Sequence, residues 1–297
     1  MSAAAPAAAP VPSPRGVAER LFVLQLGAER VDKTLSVPGA GPGRYWEPFL
    51  AVLVETREGW VLLDTGMSRA AFASPAVASA YGAPSAGDLV DPSPWHLAPV
   101  PPASPGWAWV LDGDPLRTAL AEHGLEPSDL AVAAVSHLHV DHAGGIPTLA
   151  RAGVPVVLGS SELAMARSGT VAEPLGFHPP DWSEPGTRWQ PVDGDVEIAP
   201  GVVVLSTPGH TPGHLSFLVR LAGTGDWVFC VDAADLGQNL LDAVRCGSTT
   251  PDDEDARAAA DASTARLLRL ARTGARMLPG HDQVVATCVR HPAGGHR

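Results

Sequence analysis

The densest group of potential metal ligands in the sequence lies in the segment 137–142. It reads His-Leu-His-Val-Asp-His, which places three imidazoles and one carboxylate within six residues. Neutral imidazoles and ionised carboxylates together suit zinc or a similar divalent cation. Ordinary polar loops rarely hold such a group, so the spacing predicts a metal site rather than a histidine-rich loop.

Further candidate ligands follow downstream, and they are His210, Asp232 and His281. One predicted ligand group is His137, His139 and His210. The other predicted group is Asp141, His142 and His281. Asp232 is predicted to bridge two metal ions, which leaves room for the shared water that an open catalytic site requires.

Each ligand comes soon after an apolar run that is typical of a buried strand. These runs are residues 130–135, 202–207, 227–231 and 277–279. Glycines next to the ligands allow the backbone to turn sharply. Because strand ends are rigid, the pattern predicts four strands that aim their ligands at one point.

Length and composition predict one globular domain over residues 16–291. The chain has 297 residues, of which 45% are hydrophobic and 18% charged. The Ala- and Pro-rich segment 1–15 is predicted to be a disordered tail, since its prolines interrupt any signal-like apolar run. Residues 292–297 are predicted to be frayed.

The net charge and the cysteine content limit the classes of binding partner and the cellular compartment that we expect. The net charge of −12 argues against nucleic acid as a partner. No apolar run reaches the ~20 residues of a membrane span. Three scattered cysteines indicate free thiols, which predicts a cytoplasmic protein. Apolar loops that need cover make a homodimer plausible, and the family resemblance given below implies the same.

The ordered ligand set resembles the metallo-β-lactamase superfamily from about Leu21 to about Val289. All seven of that superfamily's ligand positions are filled. The resemblance implies an α+β fold, a four-layer αβ/βα sandwich with a dinuclear site at one edge of its two sheets. It also implies two divalent metal ions, which we expect to be zinc, although iron, cobalt or manganese would fit the same ligands.

Three segments resemble the N-acyl homoserine lactonases within this superfamily. They are residues 49–67, 137–145 and 207–214. The resemblance implies that a hydroxide held between the metal ions opens a lactone ring, with Asp141 and Asp232 at the reaction centre. Two other functions stay open: hydrolysis of another ester, thioester or secondary-metabolite lactone, and ligand binding without catalysis.

One position departs from the lactonase pattern. That family places a tyrosine three residues after the bridging aspartate, to hydrogen-bond the substrate, and here Asp235 stands at that position. Tyr45 could take over this role, the metal ions could act alone, or the substrate could differ. Asp235 is a candidate catalytic acid for the leaving alkoxide, and a capping or solvated role is the alternative.

The surroundings of the site can also be predicted. Asp64 resembles the family's carboxylate that orients a ligand histidine, and a local turn role is the alternative. The candidate substrate contacts are Tyr45, Trp46, Val140 and Trp182. The tryptophan-rich stretches 68–112 and 165–189 are predicted either to cover the site or to anchor loops to the core.

Overall fold

The computed structural model describes residues 13–40, 43–81, 107–282 and 291–297. The strands are β1 (Arg20–Asp32), β2 (Arg44–Thr56), β3 (Gly59–Leu63), β4 (Ala108–Val110), β5 (Leu130–Ala134), β6 (Pro155–Gly159), β7 (Arg188–Val192), β8 (Val196–Ala199), β9 (Val202–Ser206), β10 (Leu215–Leu221), β11 (Gly225–Val231) and β12 (Arg276–Pro279). The helices are α1 (Lys33–Ser36), α2 (Arg69–Ala73), α3 (Pro75–Ala80), α4 (Pro115–Ala121), α5 (Val140–Ala143), α6 (Ile146–Arg151), α7 (Ser160–Ser168), α8 (Gly237–Asp242) and α9 (Glu254–Arg272).

The strands of the described residues form two sheets. The first has the order β4-β1-β2-β3-β5-β6-β7, and the second has the order β12-β11-β10-β9-β8. In the first sheet β1, β2 and β3 are antiparallel, whereas β3, β5, β6 and β7 are parallel. Parallel neighbours need crossover connections, and α6 and α7 lie in those connections.

The sheets pack face to face because their strands alternate with a period of two. In β9, Val202 and Val204 belong to the core between the two sheets, where Phe217 also lies. Val203 and Leu205 point the other way and pack in a second cluster. One strand therefore faces two separate hydrophobic layers.

Helices cover the outer faces of both sheets. Leu267 and Leu270 of α9 pack on the second sheet. Leu120 of α4, Leu149 of α6 and Leu163 of α7 pack on the first. The order of layers is helix, sheet, sheet, helix, which confirms the predicted four-layer α+β sandwich.

The two chain ends behave differently from the prediction where they are described. Residues 1–12 of the predicted tail lie outside the described residues, but Arg15 bonds Glu197 through its backbone and side chain. At the other end, His296 exchanges two backbone hydrogen bonds with Leu21 of β1 and is 9% exposed. The prediction of a frayed end is wrong at His296, because β1 offers it a pairing edge. Across the described ranges, no helix combines the length and apolarity needed to cross a membrane.

Candidate metal centre

The seven predicted ligands meet at one edge of the two sheets. His137 follows β5 of the first sheet, while His210, Asp232 and His281 follow β9, β11 and β12 of the second. Sharp backbone turns at the strand ends bring these side chains together. Val231 has φ +50°, which is rare for a β-branched residue and indicates a strained site. The chain thus leaves β11 abruptly, directly before Asp232.

Glycine is required beside one of the ligands. Gly209, which precedes His210, has φ +136°. A Cβ atom there would lie 2.2 Å from the backbone nitrogen of Ala260 in α9. The His210 turn can therefore pack directly on α9 only if this position has no side chain.

Three imidazole nitrogens converge in the first ligand group. Nε2 of His137 lies 3.0 Å from Nδ1 of His139. Nε2 of His210 lies 2.8 Å from the same nitrogen. Zinc–nitrogen bonds of about 2.0–2.1 Å in a tetrahedron would hold such atoms about 3.3 Å apart. The group needs only a small adjustment to fit a metal ion.

The second group combines Asp141, His142 and His281. Nε2 of His142 lies 2.9 Å from Oδ2 of Asp141, and Nε2 of His281 lies 3.6 Å from the same oxygen. Nε2 of His142 is buried and has no hydrogen-bond partner. A buried ring nitrogen that faces carboxylates without a hydrogen bond is the arrangement expected of a metal ligand.

Asp232 lies between the two groups and presents one oxygen to each. Its Oδ2 lies 3.2 Å from Nε2 of His210. Its Oδ1 lies 3.0 Å from Nε2 of His281 and 3.2 Å from Nε2 of His142. Asp232 thus contacts residues of both groups, and its bridging of two metal ions stays a prediction.

The residues fit two divalent metal ions. Within each of two groups the ligand atoms lie inside 4.8 Å of one another, and all of the residues are buried: His137, His139, His210 and Asp232 in one, Asp141, His142 and His281 in the other. Imidazole and carboxylate ligands suit zinc and other borderline divalent ions.

The protonation of the histidines suits metal binding in both ligand groups. In the first group, burial lowers the pKa of His139 to about 3, so its ring is neutral, as a ligand must be. Burial also acts against the charged form of His142, but the carboxylates of Asp141 and Asp232 outweigh it and raise the pKa of His142. The carboxylates thus attract positive charge, which a divalent ion can supply instead of a proton.

Most ligand rings are oriented through their second nitrogen. The pairs are His137 Nδ1 with Ser136 Oγ at 3.0 Å, His142 Nδ1 with Asp64 Oδ2 at 3.0 Å, His210 Nδ1 with the Ser248 carbonyl at 3.2 Å and His281 Nδ1 with the Pro48 carbonyl at 3.1 Å. The other oxygen of Asp64 accepts the backbone N–H of Ser136 at 2.7 Å. Asp64 therefore lies where the resemblance implied.

Two supporting residues have roles that sequence reasoning missed. Glu162 of α7 is fully buried, and its two oxygens accept the backbone N–H groups of Leu138 and Gly213 at 3.0 and 3.1 Å. This carboxyl links the two histidine-bearing loops, and burial raises its pKa to about 7. Nε2 of His214 accepts the backbone N–H of Asp232 at 3.2 Å, so this buried imidazole restrains the backbone beside a ligand.

A cavity of about 110 Å³ lies against the metal ligands. Its wall contains five of them together with polar and apolar residues, which include Glu29, Glu47, Tyr81, Asp235, Val31 and Leu35. Neither Glu29, Glu47 nor Tyr81 was assigned a role from the sequence. Their positions in β1, in β2 and after α3 carry no local motif that could have singled them out.

The predicted substrate contacts are not brought to this cavity where their side chains are described. Val140 is fully buried and packs with Phe49 and Met67. Trp46 packs beside Trp109, and Trp182 packs on the core outside the first sheet. The predictions for Trp46, Val140 and Trp182 are corrected accordingly, because packing turns these side chains elsewhere. The side chain of Tyr45 lies outside the described residues.

The tryptophan-rich stretch 68–112 anchors itself to the core where it is described. Trp107 and Trp109 are buried, and Trp107 stacks on Tyr81 with ring centroids 5.8 Å apart. Trp95 and His96 lie outside the described residues. The aromatic ring that reaches the cavity is Tyr81, supported from behind by Trp107.

Asp235 lies in the cavity wall and is 4% exposed, which contradicts a solvated role. Its backbone carbonyl accepts the N–H of His281 at 2.8 Å. Its Oδ1 atom is buried and has no hydrogen-bond partner. The side chain is therefore held beside the ligands with one oxygen that is free to contact a bound molecule.

Comparison with known proteins places this site in a family. The chain is 27% identical over 235 residues to an N-acyl homoserine lactonase of Bacillus thuringiensis, covering 79% of this chain and 83% of that protein. It is 32% identical over 166 residues to the lactonase AttM of Azorhizobium caulinodans, covering 54% and 60% of the two chains.

Solved structures agree with this relationship. A mutant of the B. thuringiensis lactonase AiiA with N-decanoyl-L-homoserine bound at its active site superposes with a TM-score of 0.72 and 25% identity, covering 92% of this chain and 97% of that one. The family model for the metallo-beta-lactamase superfamily matches residues 45–281. On the ligand set, the fold and this match, the chain belongs to the metallo-beta-lactamase superfamily.

Proposed function

We propose that this chain is a metal-dependent hydrolase that opens a lactone ring or a closely related ester. The observation that carries the proposal is the position of Asp232 between two buried ligand groups, next to a cavity lined by His139, Asp141 and His281. The cavity gives a substrate carbonyl access to both groups. A non-catalytic role would not require this complete ligand set.

The metal ions would supply Lewis acidity and a water of lowered pKa when bound. The protein contributes orientation, because Asp64, Ser136 and the carbonyls of Pro48 and Ser248 restrain the ligand rings. Burial of the ligands limits bulk water around the reacting carbonyl, which strengthens electrostatic interactions inside the site.

Tyr81 is proposed to donate a hydrogen bond to the substrate carbonyl or ring oxygen. A Cβ atom on Gly176 would lie 3.5 Å from the Tyr81 hydroxyl and 3.4 Å from Cδ2 of His139, so the three residues adjoin. Burial and nearby carboxylates, including Glu29 and Asp141, raise the pKa of Tyr81. The hydroxyl therefore keeps its proton and can donate it in a hydrogen bond, as the missing tyrosine of the lactonase pattern would.

Asp235 is proposed to return a proton to the leaving alkoxide. Its free Oδ1 atom and its place in the cavity wall support this role. Replacing Asp235 with Asn would remove the acid and leave the shape nearly unchanged. We expect a lower kcat for poor leaving groups and a smaller effect for aryl esters, whose leaving oxygen needs no proton. Equal losses for both substrate types would contradict the role.

N-acyl homoserine lactones are the leading substrate candidates, because the relatives at 27% and 32% identity are lactonases for these compounds. Another ester, thioester or lactone is the second candidate. The carboxyl groups of Glu29, Glu47 and Asp235 favour it, because they make the cavity wall acidic. Zinc is the proposed metal, and iron, cobalt and manganese are the alternatives.

The proposal can be tested by titrating metal-free protein with zinc while following ring opening. N-hexanoyl and N-decanoyl homoserine lactone would be used, and acid release would be measured at constant pH. We expect activity to rise with zinc until two ions are bound per chain. If fully loaded protein opens neither lactone, a panel of aryl esters and thioesters decides whether the second candidate holds. If that panel is also inert, the proposed hydrolase function is refuted.

A further inference from the structure

One buried carboxyl contacts both loops that carry the histidines of the first ligand group. Glu162 lies in the first turn of α7 and is fully buried. Its Oε1 atom accepts the backbone N–H of Leu138 at 3.0 Å, and its Oε2 atom accepts that of Gly213 at 3.1 Å. Leu138 stands between two ligand residues, and Gly213 is three residues after His210. A single side chain therefore joins the two loops.

The two loops come from different sheets. His137 and His139 follow β5 of the first sheet, whereas His210 follows β9 of the second. Nδ1 of His139 lies 3.0 Å from Nε2 of His137 and 2.8 Å from Nε2 of His210. Metal ligands have to stay within about 0.5 Å of their productive positions. The first group therefore binds a metal ion only if the two loops keep a fixed relative position.

Glycines bring the His210 loop directly onto α7. A Cβ atom on Gly213 would lie 2.2 Å from the backbone nitrogen of Glu162. A Cβ atom on Gly159, directly before α7, would lie 2.1 Å from the carbonyl oxygen of Gly213. A larger residue at either position would push the loop away from the helix. The carboxyl of Glu162 is thus held at the point where it can reach both loops.

Core stability alone does not explain a carboxyl at this place. Transfer of an acidic group out of water costs free energy, and an apolar side chain of similar size would avoid that cost. The apolar side chain would, however, leave the N–H groups of Leu138 and Gly213 without this acceptor. A carboxyl presents two acceptor oxygens, so it can satisfy one donor from each loop at the same time.

The second ligand group has supports of its own. Asp64 and the Pro48 carbonyl are hydrogen-bond partners of the second ring nitrogens of its histidines. In the first group, His139 turns its Nδ1 atom towards the other ligands, and its ring packs on Phe177 with centroids 4.3 Å apart. The direction of this ring depends on the adjoining backbone, which Glu162 holds.

We propose that Glu162 is a positioning residue that sets the metal affinity of the first ligand group and leaves that of the second nearly unchanged. It acts through the backbones of Leu138 and Gly213 and contacts neither metal ion nor substrate. This inference rests on the proposed function, because it takes the site to hold two metal ions. It concerns metal binding alone, so it can be tested even if no lactone is opened.

The first test is zinc competition between a chromophoric chelator and full-length Glu162→Gln. The amide keeps the length of the side chain and one acceptor oxygen, but its NH2 group would face one of the two backbone N–H groups. Partners outside the ligand set are typically worth about 10- to 100-fold in metal affinity. We expect one of the two zinc dissociation constants to rise by at least about tenfold while the other stays near its wild-type value. Two unchanged constants would contradict the proposal.

Proton NMR of the cobalt-loaded protein identifies the weakened site. Ring N–H protons of cobalt-bound histidines have strongly shifted resonances, so His210 reports the first group and His281 the second. At a cobalt concentration that fills both sites of the wild type, Glu162→Gln should lose the His210 signal and keep the His281 signal. Asp64→Asn should do the reverse, because Asp64 supports the second group. Loss of the His281 signal in Glu162→Gln overturns the proposal.

Asp181→Asn is the matched control for a general loss of stability. Asp181 is also a buried carboxyl, but it lies outside both ligand loops. This variant should keep both zinc constants even where its Tm changes. If it weakens the first site as much as Glu162→Gln does, the effect comes from folding and not from positioning.

A measurement on the unaltered chain covers the case in which Glu162→Gln does not fold. Amide hydrogen exchange of Leu138 and Gly213 would be followed by NMR with and without zinc. Both N–H groups should exchange slowly in the zinc-free protein, because their acceptor is Glu162 and not a metal ligand. Fast exchange of either N–H without zinc would show that the metal, rather than Glu162, joins the loops.

Discussion

The two polar groups that meet at the cavity differ in how their charge is balanced. On the metal side, the carboxylates of Asp141 and Asp232 alternate with imidazoles, and most rings are oriented through their second nitrogen. On the opposite wall, Glu29 and Glu47 face each other, and one of their oxygens has no partner. The carboxylates of the first group face imidazoles, whereas Oε2 of Glu29 in the second group is buried without a hydrogen-bond partner. A buried carboxylate therefore indicates a binding site only when the contacts of each of its oxygens are known.

The largest expected effect on activity comes from removing a carboxylate of the metal centre. Asp232→Ala removes the carboxylate that faces both ligand groups, so zinc binding should fall and kcat/KM should drop by at least about a thousandfold. Zinc per chain and lactone hydrolysis would be measured together. Asp193→Ala, in an exposed loop, is the control. Wild-type turnover by Asp232→Ala would contradict the bridging role.

A smaller loss of metal affinity is expected when the change removes only a hydrogen-bond partner of a ligand. Asp64→Asn loses the acceptor for Nδ1–H of His142 but retains an oxygen for the backbone N–H of Ser136. Such partners are typically worth about 10- to 100-fold in metal affinity. Competition with a chromophoric chelator would measure the zinc dissociation constant. An unchanged constant would leave Asp64 with a folding role only.

The cavity can be altered without touching the metal ligands. Tyr81→Phe removes one hydroxyl beside His139, and we expect kcat to fall about tenfold. This fall in kcat is smaller than the fall expected on removing a donor of an oxyanion hole, because metal ions would also polarise the substrate carbonyl. Zinc stoichiometry and KM should change little. If KM rises while kcat stays constant, Tyr81 contacts the ground state rather than the reacting oxygen.

The smallest effect on activity is expected for a buried carboxyl away from the metal ligands. Asp181 is 3% exposed, and burial raises its pKa to about 7. The unfolded value is about 3.9, so the native state binds the proton more tightly. Its stabilising contribution is complete below about pH 4 and is lost as the pH rises through about 7.

Asp181→Asn should therefore flatten the pH dependence of the free energy of unfolding by on the order of 2 kcal/mol between pH 4 and 7. Denaturant titrations at several pH values would measure it, with Asp193→Asn as the exposed control. A slope equal to that of the wild type would show that the protein relaxes around the charged form.

Much of the metal centre could be predicted because its ligands lie in short sequence motifs. The segment 137–142 supplies four ligands, and the other three each follow an apolar run that becomes β9, β11 or β12. Hydrophobic periodicity determines these strands, and strand ends at one sheet edge bring their side chains together. The predicted bridging place of Asp232 comes from the same pattern, whereas the sandwich fold was implied by the resemblance to the metallo-β-lactamase superfamily.

The cavity could not be predicted in the same way. Trp46, Val140 and Trp182 were chosen for their chemistry and position, but the direction of each side chain depends on packing with residues far along the chain. Tyr81 lies in the cavity wall, where its ring stacks on Trp107 of another segment. No local spacing encodes such a contact.

The sequence by itself determined the ligands and their grouping, because short-range periodicity and residue type decide these features, and the layers that hold them were implied by the family resemblance of its motifs. Only the tertiary structure decided which side chains face the substrate. The Glu29–Glu47 pair arises from the register between β1 and β2, and a shift of one residue would turn either side chain to the opposite face of the sheet. The acidity of the cavity is thus a property of strand pairing rather than of any motif.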